Sequence, residues 1–148
     1  MFQISTSKPL NYRLFRQGVI MFDFRSTEKI IRDIKLTEYN HDDSKLIIIR
    51  ADSKDKLVGE LKAVISEEKA LLGDIDIPDK FVNYGIGSRL LMRFEEICSE
   101  RFVKEIVGNL ATVDLDHKER LIHFYEKHHY QITYEEDGNY WGKIVKKL

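Results

Sequence analysis

A chain of 148 residues, 43% hydrophobic and 33% charged, has enough apolar material for a core and too much for a disordered chain, so a single domain over residues 1–148 is expected. Lys and Arg number 24 against 25 Asp and Glu, a formal net charge of −1, which leaves no positive excess for holding nucleic acid or anionic lipid. A lone cysteine, Cys98, excludes an intrachain disulfide and a cysteine-cluster zinc site, no apolar run nears the ~20 residues of a membrane-spanning helix, and Met1-Phe2-Gln3-Ile4-Ser5 lacks the order of a signal peptide; the expectation is a cytoplasmic protein without membrane or nucleic-acid partners.

At the front, residues 12–15 and 19–24 are aromatic and β-branched around Gln17-Gly18, the pattern of a hairpin, while residues 28–36 fit helix and strand equally. Residues 46–50 read as a short apolar strand. Residues 57–65 alternate, with Leu57, Gly59, Leu61, Ala63 and Ile65 on one face and Val58, Glu60, Lys62 and Val64 on the other. In residues 71–77, Leu71, Gly73, Ile75 and Ile77 oppose Leu72, Asp74 and Asp76. Polar turns at 52–55 and 66–69 make these three segments neighbours in one antiparallel sheet. At Ile86 the period changes, because Leu90, Leu91, Phe94, Ile97 and Cys98 share one stripe of an amphipathic helix, with Cys98 a small core residue. Residues 106–111 form another strand. Asp116 and Glu119 have capping-box spacing and open a second helix whose apolar stripe is Leu121, Ile122, Tyr125 and His128 or His129. Residues 130–135, a turn at Asp137-Gly138-Asn139, and residues 140–145 close the chain as a hairpin.

The most informative stretch is the junction Asp74-Ile75-Asp76-Ile77-Pro78-Asp79-Lys80-Phe81-Val82-Asn83-Tyr84-Gly85-Ile86-Gly87-Ser88, a strand running through a loop into a helix with two glycines at its start. Glycine lets a ligand approach the backbone closely, and N–H groups converge at a helix N-terminus with the positive end of its dipole. Together they can cradle phosphate. Taken alone, Gly-x-Gly is weak evidence and is more readily read as a tight turn that needs glycine only for its backbone angles.

This junction resembles the core motif of the acetyl-CoA-dependent N-acetyltransferases of the GNAT superfamily: a strand ending in an aliphatic residue, a loop with Arg or Gln followed by x-x-Gly-x-Gly or Ala, then a helix. Ile77 falls on the aliphatic position, Gly85 and Gly87 on the glycines, and Leu90-Leu91 on the helix. Downstream, Leu121-Ile122-His123-Phe124-Tyr125-Glu126-Lys127-His128-His129-Tyr130 is similar to the family's helix-to-strand signature Leu/Phe-Tyr-Glu-Lys-x-Gly-Phe/Tyr. The match spans residues 57–134 and agrees in the order of elements. It departs where Val82 stands for Arg or Gln, Asn83-Tyr84 for Gly-Lys, Lys118 for an Asn seven residues before Tyr125, and His129 for glycine. The first 45 residues do not show the two clear helices common in the family.

The resemblance implies a mixed α/β (α+β) domain of the GNAT acyl-CoA N-acyltransferase fold, with a central, mostly antiparallel sheet splayed between the strands at 71–77 and 106–111 and flanked by helices. It implies acetyl-CoA as co-substrate. The pantetheine arm would lie in the splay against Ile75, Asp76 and Ile77, its amides pairing with the backbone of 76–78, and the pyrophosphate would meet the N–H groups of 83–88. Acetyl would pass directly to a primary amine of a small molecule or peptide in a ternary complex; a CoA-binding regulatory or interaction protein without turnover is the alternative. Tyr125 is implied as general acid for the departing thiolate, with core filler as the other reading. An attacking amine must lose a proton, and Glu60, Asp74 and Asp76 on neighbouring strands are the candidates to take it, followed by His117 and His123. The plain alternative makes those carboxylates a solvated sheet face. No metal is expected: His123, His128, His129, Asp114 and Asp116 are read as solvated or capping groups, because His123 and His128 lie five apart and do not share a helix face. Trp141 is read as core packing, with an acceptor pocket or a homodimer surface as alternatives.

Overall fold

The computed structural model describes residues 4–5, 14–15, 18–19, 32–40, 45–135 and 137–148. Three strands of two residues each come first, β1 (Ile4–Ser5), β2 (Leu14–Phe15) and β3 (Gly18–Val19), the last two pairing antiparallel as a piece of the expected hairpin. The rest of that hairpin, at residues 12–13 and 20–24, lies outside the described residues, as do 28–31. A strand the sequence left unassigned, β4 (Lys35–Asn40), pairs with β5 (Leu46–Ser53), and an antiparallel meander continues through β6 (Lys56–Ser66) and β7 (Lys69–Asp76). Helix α1 (Ile86–Glu100) then carries the chain to β8 (Glu105–Ala111), which lies parallel to β7. A crossover helix is the usual way to join parallel neighbours. Helix α2 (Lys118–Lys127) and the hairpin of β9 (Gln131–Thr133) and β10 (Tyr140–Lys147) complete the order β4-β5-β6-β7-β8-β10-β9, with β1 pairing β7 off that path. This is the mixed, mostly antiparallel sheet with flanking helices that the family resemblance implies.

The sheet opens where it was expected to. β7 and β8 pair only from Lys69 opposite Glu105 to Leu72 opposite Gly108; further along, Ile75 and Asp76 no longer face β8. Pairing that stops midway leaves a wedge between two parallel strands.

Two bulges correct the alternation read from the sequence. Asp52 pairs with Leu57 but Ala51 with Gly59, so Val58 is an extra residue; Val58 joins Gly59 inside and Leu57 is turned out, 38% exposed. In the same way Lys62 pairs with Asp74 but Ala63 with Leu72, which inserts Gly73. Ala70 and Leu72 therefore point into the core with Ile75 and Ile77, and Leu71 points out. A Cβ on Gly73 would lie 2.9 Å from the Lys62 carbonyl oxygen, so the close approach at this bulge requires glycine.

Helix α1 buries the expected stripe of Leu90, Leu91, Phe94, Ile97 and Cys98 against the sheet, each large apolar side chain contributing roughly 1.5–3 kcal/mol. Its opposite side is held by ions. Arg93 bonds to Glu38 of edge strand β4 and to Glu96 at 2.8 Å, and Glu95 pairs with Lys146 of β10 at 2.9 Å. Burial pushes the Cys98 thiol up to about 12, which makes it inert. The capping-box expectation is corrected: residues Thr112–His117 form a 3-10 turn, α2 begins at Lys118 after His117, and no side chain caps it. Leu121 and Tyr125 are buried, with Ile122 and Phe124 half-buried. No helix among the described residues is long and apolar enough to cross a membrane.

Candidate active site

From β7 the chain makes a short 3-10 turn (Asp79–Phe81) and reaches α1 through Gly85, whose φ of 78° is left-handed and open to glycine without strain. The first intrahelical bond is Arg89 N–H to Gly85 O at 3.1 Å, so the N–H groups of Ile86, Gly87 and Ser88 have no acceptor within the helix. The first turn of α1 also carries no acidic residue. These donors open on a pocket of about 280 Å³. Ile75 and Ile77 form its floor, Asn83, Gly85, Ile86, Gly87 and Ser88 one wall, and α2 the other. Of the residues expected to hold a cofactor, Tyr84 is not on that wall, and Asp76, alternating with Ile75 and Ile77, points to the opposite face of the sheet.

Helix α2 stands close over the glycines. An added Cβ at Gly87 would meet the Phe124 ring at 3.6 Å, and Ser88 Oγ lies 2.8 Å from His128 Nε2. Burial lowers the His128 pKa. Arg120 Nη2 donates to Asn83 Oδ1 at 3.3 Å, and Arg120 and Lys127 both face the pocket. Sequence reasoning missed these two cations. Their signal was the spacing Arg120, His123, Phe124, Lys127, which puts one side of α2 toward the pocket while Leu121 and Tyr125 go to the core. Val82 is buried and lines the pocket as an apolar residue, in the same pocket as Arg120 and Lys127.

Tyr125 is fully buried, edge-on to Phe124 at 5.1 Å and to Tyr130 at 5.5 Å. Burial, reinforced by Tyr130 and Asp114, raises its pKa well above the usual range for a phenol, so Oη holds its proton at neutral pH. Phe124 stands on the pocket wall and Tyr125 behind it. Asp114 is only 8% exposed, and its Oδ2 has no hydrogen-bond partner among the described residues. Burial raises its pKa, with His117 opposing and Asp74 adding. The sequence reading of Asp114 as a solvated or capping group is corrected, since it is buried and caps no helix; among the described residues no group of three His, Cys, Asp or Glu side chains could hold a metal ion.

The carboxylates expected on adjacent strands do meet. Glu60 lies opposite Asp76 and Lys62 opposite Asp74, all on the face turned away from α1. Glu60 is engaged by Lys62 at 3.1 Å and Arg50 at 3.7 Å. His117 is half-buried on the 3-10 turn and His123 is exposed at the pocket. Two sequence departures find a structural account. Lys118 Nζ sits 5.0 Å from the Trp141 ring centroid and 5.3 Å from that of Tyr134, which stacks on Trp141, and so braces the last hairpin. His129, where the motif has glycine, adopts the left-handed conformation at φ 65°.

The profile of the "Acetyltransferase (GNAT) family" matches residues 16–130. The chain belongs to that family. YocC of Bacillus subtilis (strain 168), itself described as uncharacterized, is 26% identical over an alignment of 142 positions that covers 86% of this chain and 82% of YocC. The PaiA N-acetyltransferase of Thermoplasma acidophilum in complex with coenzyme A aligns with a TM-score of 0.61 at 20% identity over 70% of this chain and 62% of that one. A GNAT acetyltransferase of Elizabethkingia anophelis with acetyl-CoA bound aligns with a TM-score of 0.63 at 15% identity over 78% of this chain and 99% of its own. The GNAT fold of this chain thus places a wedge in the sheet next to a helix N-terminus.

Proposed function

We propose that residues 1–148 act as one N-acetyltransferase domain that moves acetyl from acetyl-CoA to a primary amine of a small molecule or peptide. The observation that carries this reading is the row of N–H groups at Ile86, Gly87 and Ser88, facing a pocket whose far wall brings Arg120 and Lys127. Donors with no acceptor within the helix, at its positive end, and two cations suit a pyrophosphate, and relatives of the same fold carry coenzyme A or acetyl-CoA. Acetyl-CoA supplies the acyl group as an activated thioester.

The chain's own residues would do the rest. The backbone of 75–77 lines the wedge for the pantetheine arm, and Tyr125 holds on Oη the proton that a departing thiolate requires. Asp74, Asp76 and Glu60, on the other face of the sheet, favour a cationic acceptor and are the groups to take its proton. Cofactor and acceptor would then approach from opposite faces and meet at the wedge.

Release of CoA thiol on mixing the protein, acetyl-CoA and a panel of polyamines, aminoglycosides and lysine-bearing peptides tests the reading. Turnover with at least one amine is expected, and Tyr125→Phe should lower kcat by about 100- to 10,000-fold with little change in acetyl-CoA affinity. Apolar Val82 and the engaged Lys118 favour one second reading, a CoA-binding protein without turnover. Tight acetyl-CoA binding with no release across the panel would select it.

A further inference from the structure

The edge of β7 that borders the wedge is already in use. β6 holds one side of β7 through Leu61 opposite Ile75 and Glu60 opposite Asp76. β8 holds the other side only as far as Leu72. Yet Ile4 lies opposite Ile75 and Ser5 opposite Asp76, in parallel register. A strand has two edges, so β1 must pair on the β8 side, in the wedge itself, at the point where β8 turns away.

We propose that this edge is a docking site for an extended backbone, that its occupant without cofactor is the chain's own segment Ile4–Ser5, and that acyl-CoA must displace it. The inference rests on the acetyl-CoA reading above, because the amide-bearing arm proposed to lie along 75–77 needs the same backbone groups. Strand addition to an open edge is driven by main-chain hydrogen bonds and asks little of side chains. It also covers an edge that would otherwise invite pairing between molecules. Two residues make a short ladder, so the segment can leave when a better partner arrives. Apparent affinity for that partner falls in proportion to the fraction of molecules whose edge is covered.

The experiment uses the full-length chain. Proline cannot donate to a ladder, and of two successive residues in a parallel strand one directs its N–H toward the neighbour, so Ile4→Pro with Ser5→Pro removes that donor whichever it is. By titration calorimetry the double variant should bind acetyl-CoA about tenfold more tightly than wild type, as expected if roughly nine molecules in ten are covered. Equal or weaker binding by the variant would overturn the competition and leave the acetyl-CoA reading intact. No binding by either protein would overturn both. Backbone hydrogen exchange on the unaltered chain gives an answer that does not depend on how the variant folds: acetyl-CoA should speed exchange at residues 4–5, and unchanged or slower exchange there would overturn the proposal.

Discussion

His128 Nε2 lies 2.8 Å from Ser88 Oγ, which ties the residue just past α2 to the first turn of α1 at the rim of the pocket. Burial lowers the His128 pKa below its usual 6.5. As pH falls through that range the unfolded chain takes up the proton first, so the folded state loses stability on acidification and keeps it above pH ~6.5. His128→Gln removes the titration while retaining a polar partner for Ser88. Between pH 7.5 and 5.5 the melting temperature of wild type should therefore fall further than that of the variant; parallel curves would show that His128 does not carry this dependence.

Gly87 separates space for a ligand from space needed for folding. Its added Cβ would only touch the Phe124 ring at 3.6 Å, an ordinary contact, so Gly87→Ala should fold normally. Gly87→Trp would fill the mouth of the cradle. Saturating acetyl-CoA at 100 times its Kd stabilises a protein by about 2.7 kcal/mol, and the resulting rise in Tm should survive in the alanine variant and vanish in the tryptophan one. A full shift with tryptophan would put the cofactor elsewhere.

Much of this fold was legible because its signals are local. The stripe from Leu90 to Cys98 is a 3.6-residue period, and Gly85 is a conformational requirement visible in one letter. The bulges at Val58 and Gly73 were not legible, because an extra residue is defined by what lies on the partner strand, and each one reverses the faces that follow it. β4 was missed because its burial is partial, from half-buried to exposed, which leaves no apolar alternation to read. β1 was missed for a different reason: two residues carry no period. Arg120 and Lys127 were overlooked because they belong to a helix face whose purpose appears only once α1 stands opposite.

Arg120 makes the missing loop charge testable. It donates to Asn83 at the edge of the cradle and faces the same pocket as the α1 N–H groups. A hydrogen bond from a charged donor contributes about 1.5 kcal/mol or more, so Arg120→Gln should raise the Kd for acetyl-CoA about tenfold. The effect should shrink in high salt. An unchanged Kd at low salt would mean that Arg120 serves only to hold Asn83.

His129 ends α2 at φ 65°, with its N–H donating to Glu126 O at 2.9 Å and Tyr130 N–H closing on Tyr125 O at 3.0 Å. This is the helix stop that glycine usually makes. A side chain in the left-handed region costs roughly 1–2 kcal/mol, part of which glycine gives back through its freer unfolded chain. His129→Gly should therefore stabilise the protein by up to about 1 kcal/mol, read as a higher midpoint in urea. A lower midpoint would mean that the imidazole makes a stabilising contact that outweighs the strain.

Among the described carboxylates, Asp114 is one whose surroundings disfavour its charge. It is 8% exposed, Oδ2 lacks a hydrogen-bond partner among the described residues, and burial raises its pKa with Asp74 adding to the effect, only His117 opposing. An acid that is harder to ionise when folded binds more protons in the native state than in the unfolded one, so it supports folding at low pH and opposes it as pH rises through the folded pKa. At pH 7 the ionised group is a burden that an amide of the same shape would not be. Asp114→Asn should thus raise Tm at pH 7, and the gain should fade as the pH is lowered and the wild type takes up its proton. Should the variant instead be less stable at pH 7, the carboxylate must have a partner that holds its charge, and burial would not be what governs this side chain.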